Sequence, residues 1–332
     1  MAQLYFDGFE LGIPADMSAT GTTGAGVGTS SATAYGYGLC ATNGAWTLTK
    51  TFPATSDVYI GFRYSASATN AATQVIRLYG DTGLQEHLRL WWSSPTTLSL
   101  GRFSTQIATA AVNEPLAGSW AFIEIRATIA DTGGRCVVRV DGQTVIDFTG
   151  DTKNGGTASS LDSLQFGGAG SGTIRYYDDL YINDATGAAP HNTFYGPCRV
   201  YALAPTGAGT DTAFTPSAGA NWACVDEQPA SAADFVTAST VGARDTYALA
   251  DLPGTVSQVF GVRPTAIAKS NDGAAVNLKT AMRSAGTVYG GTTTPLGAGD
   301  STVATIRSVD PATGAAWTVA AVNAAEAGFE VA

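Results

Sequence analysis

Apolar and polar residues alternate in short runs along most of this chain, and the runs are bounded by Gly, Pro, Asn and Asp, the punctuation of strands and turns. The stretch Trp120–Ile129 shows the period of two directly. Ile123, Ile125 and Ile129 share one face, while Glu124, Arg126 and Thr128 share the other, where Glu124 is expected to be a solvated surface carboxylate. A hairpin is expected next: Cys136–Val140 runs into Asp141-Gly142, a pair that accepts the positive φ angles of a tight turn, and Gln143–Phe148 returns. The same pattern predicts strands over Asp57–Tyr64, Thr73–Tyr79, Glu86–Trp92, Thr97–Phe103, Ser163–Phe166 and Ile174–Ile182. Evenly spaced strands without helical periodicity predict an all-β fold, a two-sheet sandwich or jelly roll.

The segment Asp184–Asn192 is small and polar, and Gly196-Pro197 breaks any strand that follows it, so a domain boundary is expected within residues 185–200. The division expected is 1–195 and 196–332. For the second part the pattern predicts a smaller β-sandwich module with strands at Arg199–Leu203, Val256–Pro264, Val276–Arg283, Thr302–Arg307 and Trp317–Val322. A short helix is expected at Ala230–Val236.

Composition narrows the function classes. Of 332 residues, 17 are basic and 27 acidic, so only 13% are charged, against about 25% in ordinary soluble domains. Hydrophobic residues reach 45%, enough to build a core and too many for a disordered chain. The net charge of −10 repels phosphate backbones, which argues against a nucleic-acid partner. The chain start carries no basic segment followed by an apolar run, and no window approaches a membrane span, so neither secretion nor membrane insertion is expected.

Candidate chemistry is sparse. Cys40, Cys136, Cys198 and Cys224 form no C-x-x-C pair, and only His87 and His191 could join them on a metal, so buried free thiols are expected. No paired carboxylates at glycosidase spacing and no Gly-x-Ser-x-Gly elbow are present, and the glycine-rich run 21–28 lacks the following Lys-Ser/Thr of a phosphate loop. No cofactor is expected, and the chain reads as a non-enzyme. Two clusters remain. Asp178, Asp179, Asn183 and Asp184 offer hard oxygens that could hold Ca²⁺, or they could instead cap turns and accept backbone N–H groups while Leu180 and Ile182 face the core. An aromatic group, Tyr35, Tyr37, Trp46, Trp91, Trp92, Tyr176 and Tyr177, could stack on sugar rings or fill the core. Because adjacent strand residues point to opposite faces, one of Trp91 and Trp92 should be buried and the other left for a ligand or an interface. Trp46, Trp91, Trp92 and Tyr176 are the candidate ligand residues.

The opening Leu4-Tyr5-Phe6-Asp7-Gly8-Phe9-Glu10, the Trp120-x-x-Ile123-Glu124-Ile125-Arg126 strand, the Val140-Asp141-Gly142 hairpin and the Tyr177-Asp178-Asp179-Leu180-Tyr181-Ile182-Asn183-Asp184 ending together resemble the laminin-G/concanavalin-like jelly rolls of tailed-bacteriophage virion proteins. Gly196–Val200, Asp310–Thr318 and Val322–Phe329 resemble the module that follows such domains and attaches or assembles the subunit. The resemblance implies that the Asp-Asp-x-Tyr-Ile segment is a closing strand returning beside the first. It further implies a structural protein of a phage or phage-like particle, such as a head decoration, fibre, tail or tail-tip subunit. Such a protein would be made in the bacterial host cytoplasm and located in the virion, with copies of itself and other virion proteins as partners. The alternative is a carbohydrate-binding host-receptor module that uses jelly-roll loops.

Overall fold

In a computed structural model the protein forms two compact units, one comprising Met1–Ile13 and Met17–Val200, the other Pro14–Asp16 and Tyr201–Ala332. The structure describes residues 3–20, 27–30, 38–41, 46–68, 73–116, 118–168 and 173–332. Tyr35, Tyr37, most of the glycine-rich run 21–28 and the Cys40 side chain lie outside the described residues.

The first unit is built from strands β1 (Gln3–Asp7), β2 (Met17–Thr20), β3 (Val27–Ser30), β4 (Gly38–Ala41), β5 (Thr47–Thr55), β6 (Asp57–Ala66), β7 (Thr73–Gly80) and β8 (Gln85–Ser94). It continues with β9 (Thr97–Arg102), β10 (Thr105–Ala111), β11 (Ala121–Thr128), β12 (Gly134–Val140), β13 (Gln143–Gly150), β14 (Leu161–Gly167) and β15 (Arg175–Asp184). An eight-stranded antiparallel sheet has the order β13-β12-β11-β6-β15-β4-β3 with β1 also on β15, and a seven-stranded sheet has the order β10-β9-β8-β7-β14-β5-β2. Consecutive strands change sheets at β1/β2, β2/β3, β4/β5, β5/β6, β6/β7, β10/β11, β13/β14 and β14/β15, the crossing pattern of a jelly-roll sandwich. The closing strand pairs with the first, Phe6 opposite Tyr181 and Asp7 opposite Leu180.

Alternation fills the space between the sheets. Leu48, Ile60, Phe62, Leu78, Leu88, Leu90, Trp92, Ile123, Ile125, Leu164, Phe166 and Tyr177 point inward and are buried. Phe166 and Tyr177 stack with ring centroids 4.3 Å apart, and the Tyr177 hydroxyl donates to the Val75 carbonyl at 2.8 Å, so the polar tip of this core aromatic is satisfied. The hairpin turn falls at Asp141-Gly142, with φ of 49° and 80°, and Asp141 Oδ1 accepts the Phe122 N–H at 2.8 Å. Leu180 and Ile182 are core residues.

In the second unit, β16 (Pro205–Thr212), β17 (Thr215–Pro216), β18 (Val236–Thr237), β19 (Arg244–Leu249), β20 (Thr265–Ala268), β21 (Val276–Ser284), β22 (Thr287–Leu296), β23 (Ser301–Ala304) and β24 (Glu326–Val331) form a five-stranded sheet, β16-β19-β24-β21-β22, and two ribbons, β17-β18 and β20-β23. Val303 of the second ribbon packs with Leu278, Leu296 and Val331 of the sheet, giving two layers.

Several expected elements in this unit differ. Arg199–Leu203 is not a strand, and Val256–Pro264 contributes only the bridge Val262–Arg307. Trp317–Val322 gives way to a one-turn helix, α1 (Val319–Asn323), because Thr318 caps it by accepting the Ala321 N–H at 3.0 Å. The expected helix at Ala230–Val236 is absent: Ser231 Oγ accepts the Ala233 N–H at 3.1 Å, a local turn that competes with the helical ladder, and Val236 pairs with Pro216. Among the described residues no helix is long and apolar enough to cross a membrane.

Candidate functional site

The two outer faces of the jelly roll differ. On the eight-stranded sheet, the segment 186–200, within which the sequence suggests a domain boundary, lies across the outward side chains of β6, β11 and β15. Phe194, Tyr195 and Cys198 pack on Tyr59, Phe122 and Tyr181. Beneath them Glu124 is fully buried, which corrects the expectation of a solvated carboxylate. Its Oε1 accepts the Tyr181 hydroxyl at 2.7 Å and the Gly196 N–H at 2.9 Å, and Arg139 stands 3.9 Å from Oε2. The strap removes water from this face, and the carboxylate in turn supplies an acceptor for two groups that would otherwise be buried unpaired. Burial, with the Glu124 charge beside it, holds the Tyr181 hydroxyl well above the usual phenol range.

The acidic cluster sits at the edge of the same strap. A bulge in β15 places Asp179 at φ 53°, and its carboxylate is taken by Arg63 Nε at 2.7 Å and the Val200 N–H at 2.7 Å. Asp178 accepts the Asp179 N–H at 2.8 Å, and burial together with the Asp179 charge pushes its carboxyl up to about 8. Asn183 is buried, and Asp184 accepts the Thr186 N–H at 2.8 Å in a turn. Among the described residues no three His, Cys, Asp or Glu side chains stand together as a metal cage. His87 accepts the Asn154 N–H at 3.1 Å, and His191 meets the Tyr195 hydroxyl. Cys136, Cys198 and Cys224 are free thiols.

The seven-stranded sheet presents a different outward face. Arg77 and Tyr79 of β7, Arg89 and Trp91 of β8, and Gln165 of β14 all remain partly exposed. They share this face by strand parity, since Leu78, Leu90 and Leu164 between them are core. A bulge where Leu78 and Tyr79 face Leu88 and Glu86 turns the Glu86 carboxylate onto the same face. Glu86 Oε1 takes Arg89 Nε at 2.5 Å, and Oε2 lies 3.8 Å from Arg77 Nε and 3.5 Å from the Tyr79 hydroxyl. Arg77 donates to Gln74 Oε1 at 2.8 Å and Gln165 Oε1 at 3.4 Å, and Gln165 Nε2 donates to Thr49 at 3.3 Å. Burial raises the Tyr79 hydroxyl pKa, opposed by Arg77, so it remains a neutral donor. The Trp91 ring lies over Gly101 of β9, where a Cβ would come within 2.8 Å of Cζ3. The result is a shallow surface of one aromatic plate flanked by amide, hydroxyl and guanidinium groups. The cavity between the sheets lined by Ile76, Leu88, Leu100 and Cys136 holds only about 10 Å³, at the lower limit for one water.

The four candidate ligand residues are therefore not gathered. Trp91 is on this face, and Trp92 is fully buried in the core, the division that strand alternation requires. Tyr176 lies on the other sheet beside Trp120, ring centroids 6.3 Å apart, and Trp46 is half-buried ahead of β5. Sequence reasoning passed over Arg77, Tyr79, Glu86, Arg89 and Gln165. A signal was present in two predicted strands, where Arg77 and Tyr79 share one parity and Arg89 and Trp91 share another.

No family model and no curated protein matches this chain. Among solved structures it is similar over part of its length to a sialidase (13% identity, 55% of this chain and 19% of that chain, TM-score 0.43). It is also similar to the carbohydrate esterase vb_24B_21 of Shiga toxin-encoding bacteriophage phi24B (15% identity, 54% of this chain and 99% of that one, TM-score 0.35). A Bacillus subtilis protein of unknown function with a galectin-like fold is a third (13% identity, 55% and 96% covered, TM-score 0.39). The chain spans about a fifth of that sialidase (19%). All three TM-scores are below 0.5, and the fold assignment rests on the strand topology itself.

Proposed function

We propose that the first unit binds carbohydrate on the outer face of its seven-stranded sheet. The observation that carries this reading is the grouping of a half-buried tryptophan with Arg77, Tyr79, Glu86, Arg89 and Gln165 on one outward face, while on the opposite sheet residues 194–198 pack over Tyr59, Phe122 and Tyr181. An aromatic plate satisfies the apolar face of a sugar ring, and the surrounding donors and acceptors match its hydroxyls. Binding without turnover is the form we favour, because the carboxylate of the cluster, Glu86, is already engaged by Arg89 on one oxygen and approached by Arg77 and Tyr79 on the other. No metal is required by this arrangement. A glycan array with the full chain, with and without Ca²⁺, tests the proposal: a defined glycan set lost on Trp91→Ala supports it, and no binding at millimolar sugar removes it.

We infer further, from the order of sequence motifs, that this unit belongs to a subunit of a phage or phage-like particle. In that reading residues 196–332 are the attachment or assembly module, and copies of the chain and other virion proteins are the partners. Immunogold labelling of particles from lysates would place the chain on a virion component; purified chain that stays monomeric and joins no particle opposes it.

A further inference from the structure

Arg77 and Arg89 are direct cross-strand partners on β7 and β8, an arrangement of like charges that costs stability unless something compensates it. Glu86 is the compensating carboxylate, held mainly by Arg89. Arg77 spends its terminal nitrogens on the neutral amide oxygens of Gln74 and Gln165. The cluster of two guanidinium groups and one carboxylate thus carries an excess positive charge, in a chain whose net charge is −10. Arg89 donates through Nε to Glu86, its guanidinium stands 5.3 Å from the centroid of the exposed Phe103 ring, and its two terminal nitrogens make no hydrogen bond to any described residue. Held from both sides, that edge of the guanidinium presents parallel N–H donors, the geometry that takes a carboxylate bidentately. Trp91 is two residues along the same strand and on the same face, about 7 Å away at strand rise.

We propose that the glycan taken by this face is acidic, a polysaccharide of carboxylated (uronic-acid) sugars, with Arg89 reading a carboxylate while a ring stacks on Trp91. The proposal rests on the carbohydrate-binding reading above and adds the substrate class. The partial positive excess explains how an acidic chain would accept an acidic ligand without general attraction, since steering by the whole-protein field is unfavourable and recognition must be local.

The test is titration of the full chain with an oligouronate, with the same oligomer after carboxyl reduction, and with a sulfated neutral glycan of similar length. The expected result is a preference of about tenfold or more for the carboxylated over the reduced oligomer. That preference should shrink as salt rises from about 50 to about 500 mM. Arg89→Gln should bring the ratio close to one, and Arg89→Lys, which keeps the charge as a partner for Glu86 and loses the fork, should recover only part of it. Equal affinity for the carboxylated and reduced oligomers overturns the acidic-ligand inference while leaving the glycan site standing. Preference for the sulfated glycan overturns the carboxylate assignment, and absence of binding to all three overturns the acidic-ligand inference, the glycan array deciding separately whether the site itself stands.

Discussion

The indole of Trp91 rests on Gly101 of the neighbouring strand, so close that a Cβ at 101 would stand 2.8 Å from Cζ3 and 3.2 Å from the Phe103 carbonyl. Gly101 has an ordinary negative φ, so the glycine is needed for the approach of the ring and not for its backbone conformation. Gly101→Ala should tilt the indole off the sheet and weaken glycan binding about three- to tenfold, the scale of one aromatic contact, with little change in thermal midpoint. Undiminished binding by this variant would show that the flat seating of Trp91 has no part in recognition.

Glu124 carries a structural consequence. Glu124→Ala leaves the Tyr181 hydroxyl and the Gly196 N–H buried without their acceptor, which should cost about 1–3 kcal/mol in denaturant unfolding. Amide exchange across 186–200 should also accelerate, because the strap loses a tether. A stability change within about 0.5 kcal/mol, the range of surface substitutions, would contradict the buried role.

Asp178 makes the stability of the first unit depend on pH. Its carboxyl keeps its proton in the folded state to about 8, whereas in the unfolded chain it ionises near 3.8. The raised folded value means that its contribution is fully present below the unfolded value and is lost as pH rises through about 8. Asp178→Asn retains an acceptor for the Asp179 N–H and cannot ionise. Its thermal midpoint, relative to wild type, should therefore rise at about pH 9 and change little at about pH 4. Equal shifts at both pH values would rule out the linkage.

Cys136 is fully buried, and burial pushes its thiol up to about 12. Alkylation at about pH 8, followed by peptide mass spectrometry, should leave Cys136 unmodified in the native protein and label it quickly in denaturant. Native labelling at the denatured rate would mean that the sandwich opens there.

The strands of the first unit were legible because burial on one face of a sheet enforces a period of two, and the positions Ile123 and Ile125, or Leu88, Leu90 and Trp92, obey it. The Asp141-Gly142 turn was legible for the same local reason. What escaped depended on contacts far apart in sequence. Glu124 looks solvated until Phe194 and Tyr195, some 70 residues later, are laid over it, and those aromatics stood in a stretch whose glycine and proline suggested only a boundary. The second unit was harder because its clusters are small, four buried residues in each of two, so alternation there is brief and a single cap such as Thr318 decides between strand and helix. Of the proposed site, the sequence singled out one residue, Trp91. Its polar companions lie on three strands that only the sheet order brings side by side.

The most direct test of the account is the affinity of a glycan selected on the array for three proteins: wild type, Trp91→Ala and Trp120→Ala, the last altering the aromatic pair with Tyr176 on the opposite sheet. The account predicts that Trp91→Ala loses at least about tenfold in affinity while Trp120→Ala binds as wild type does. Loss of binding on Trp120→Ala with Trp91→Ala unaffected would place recognition on the other face and contradict it.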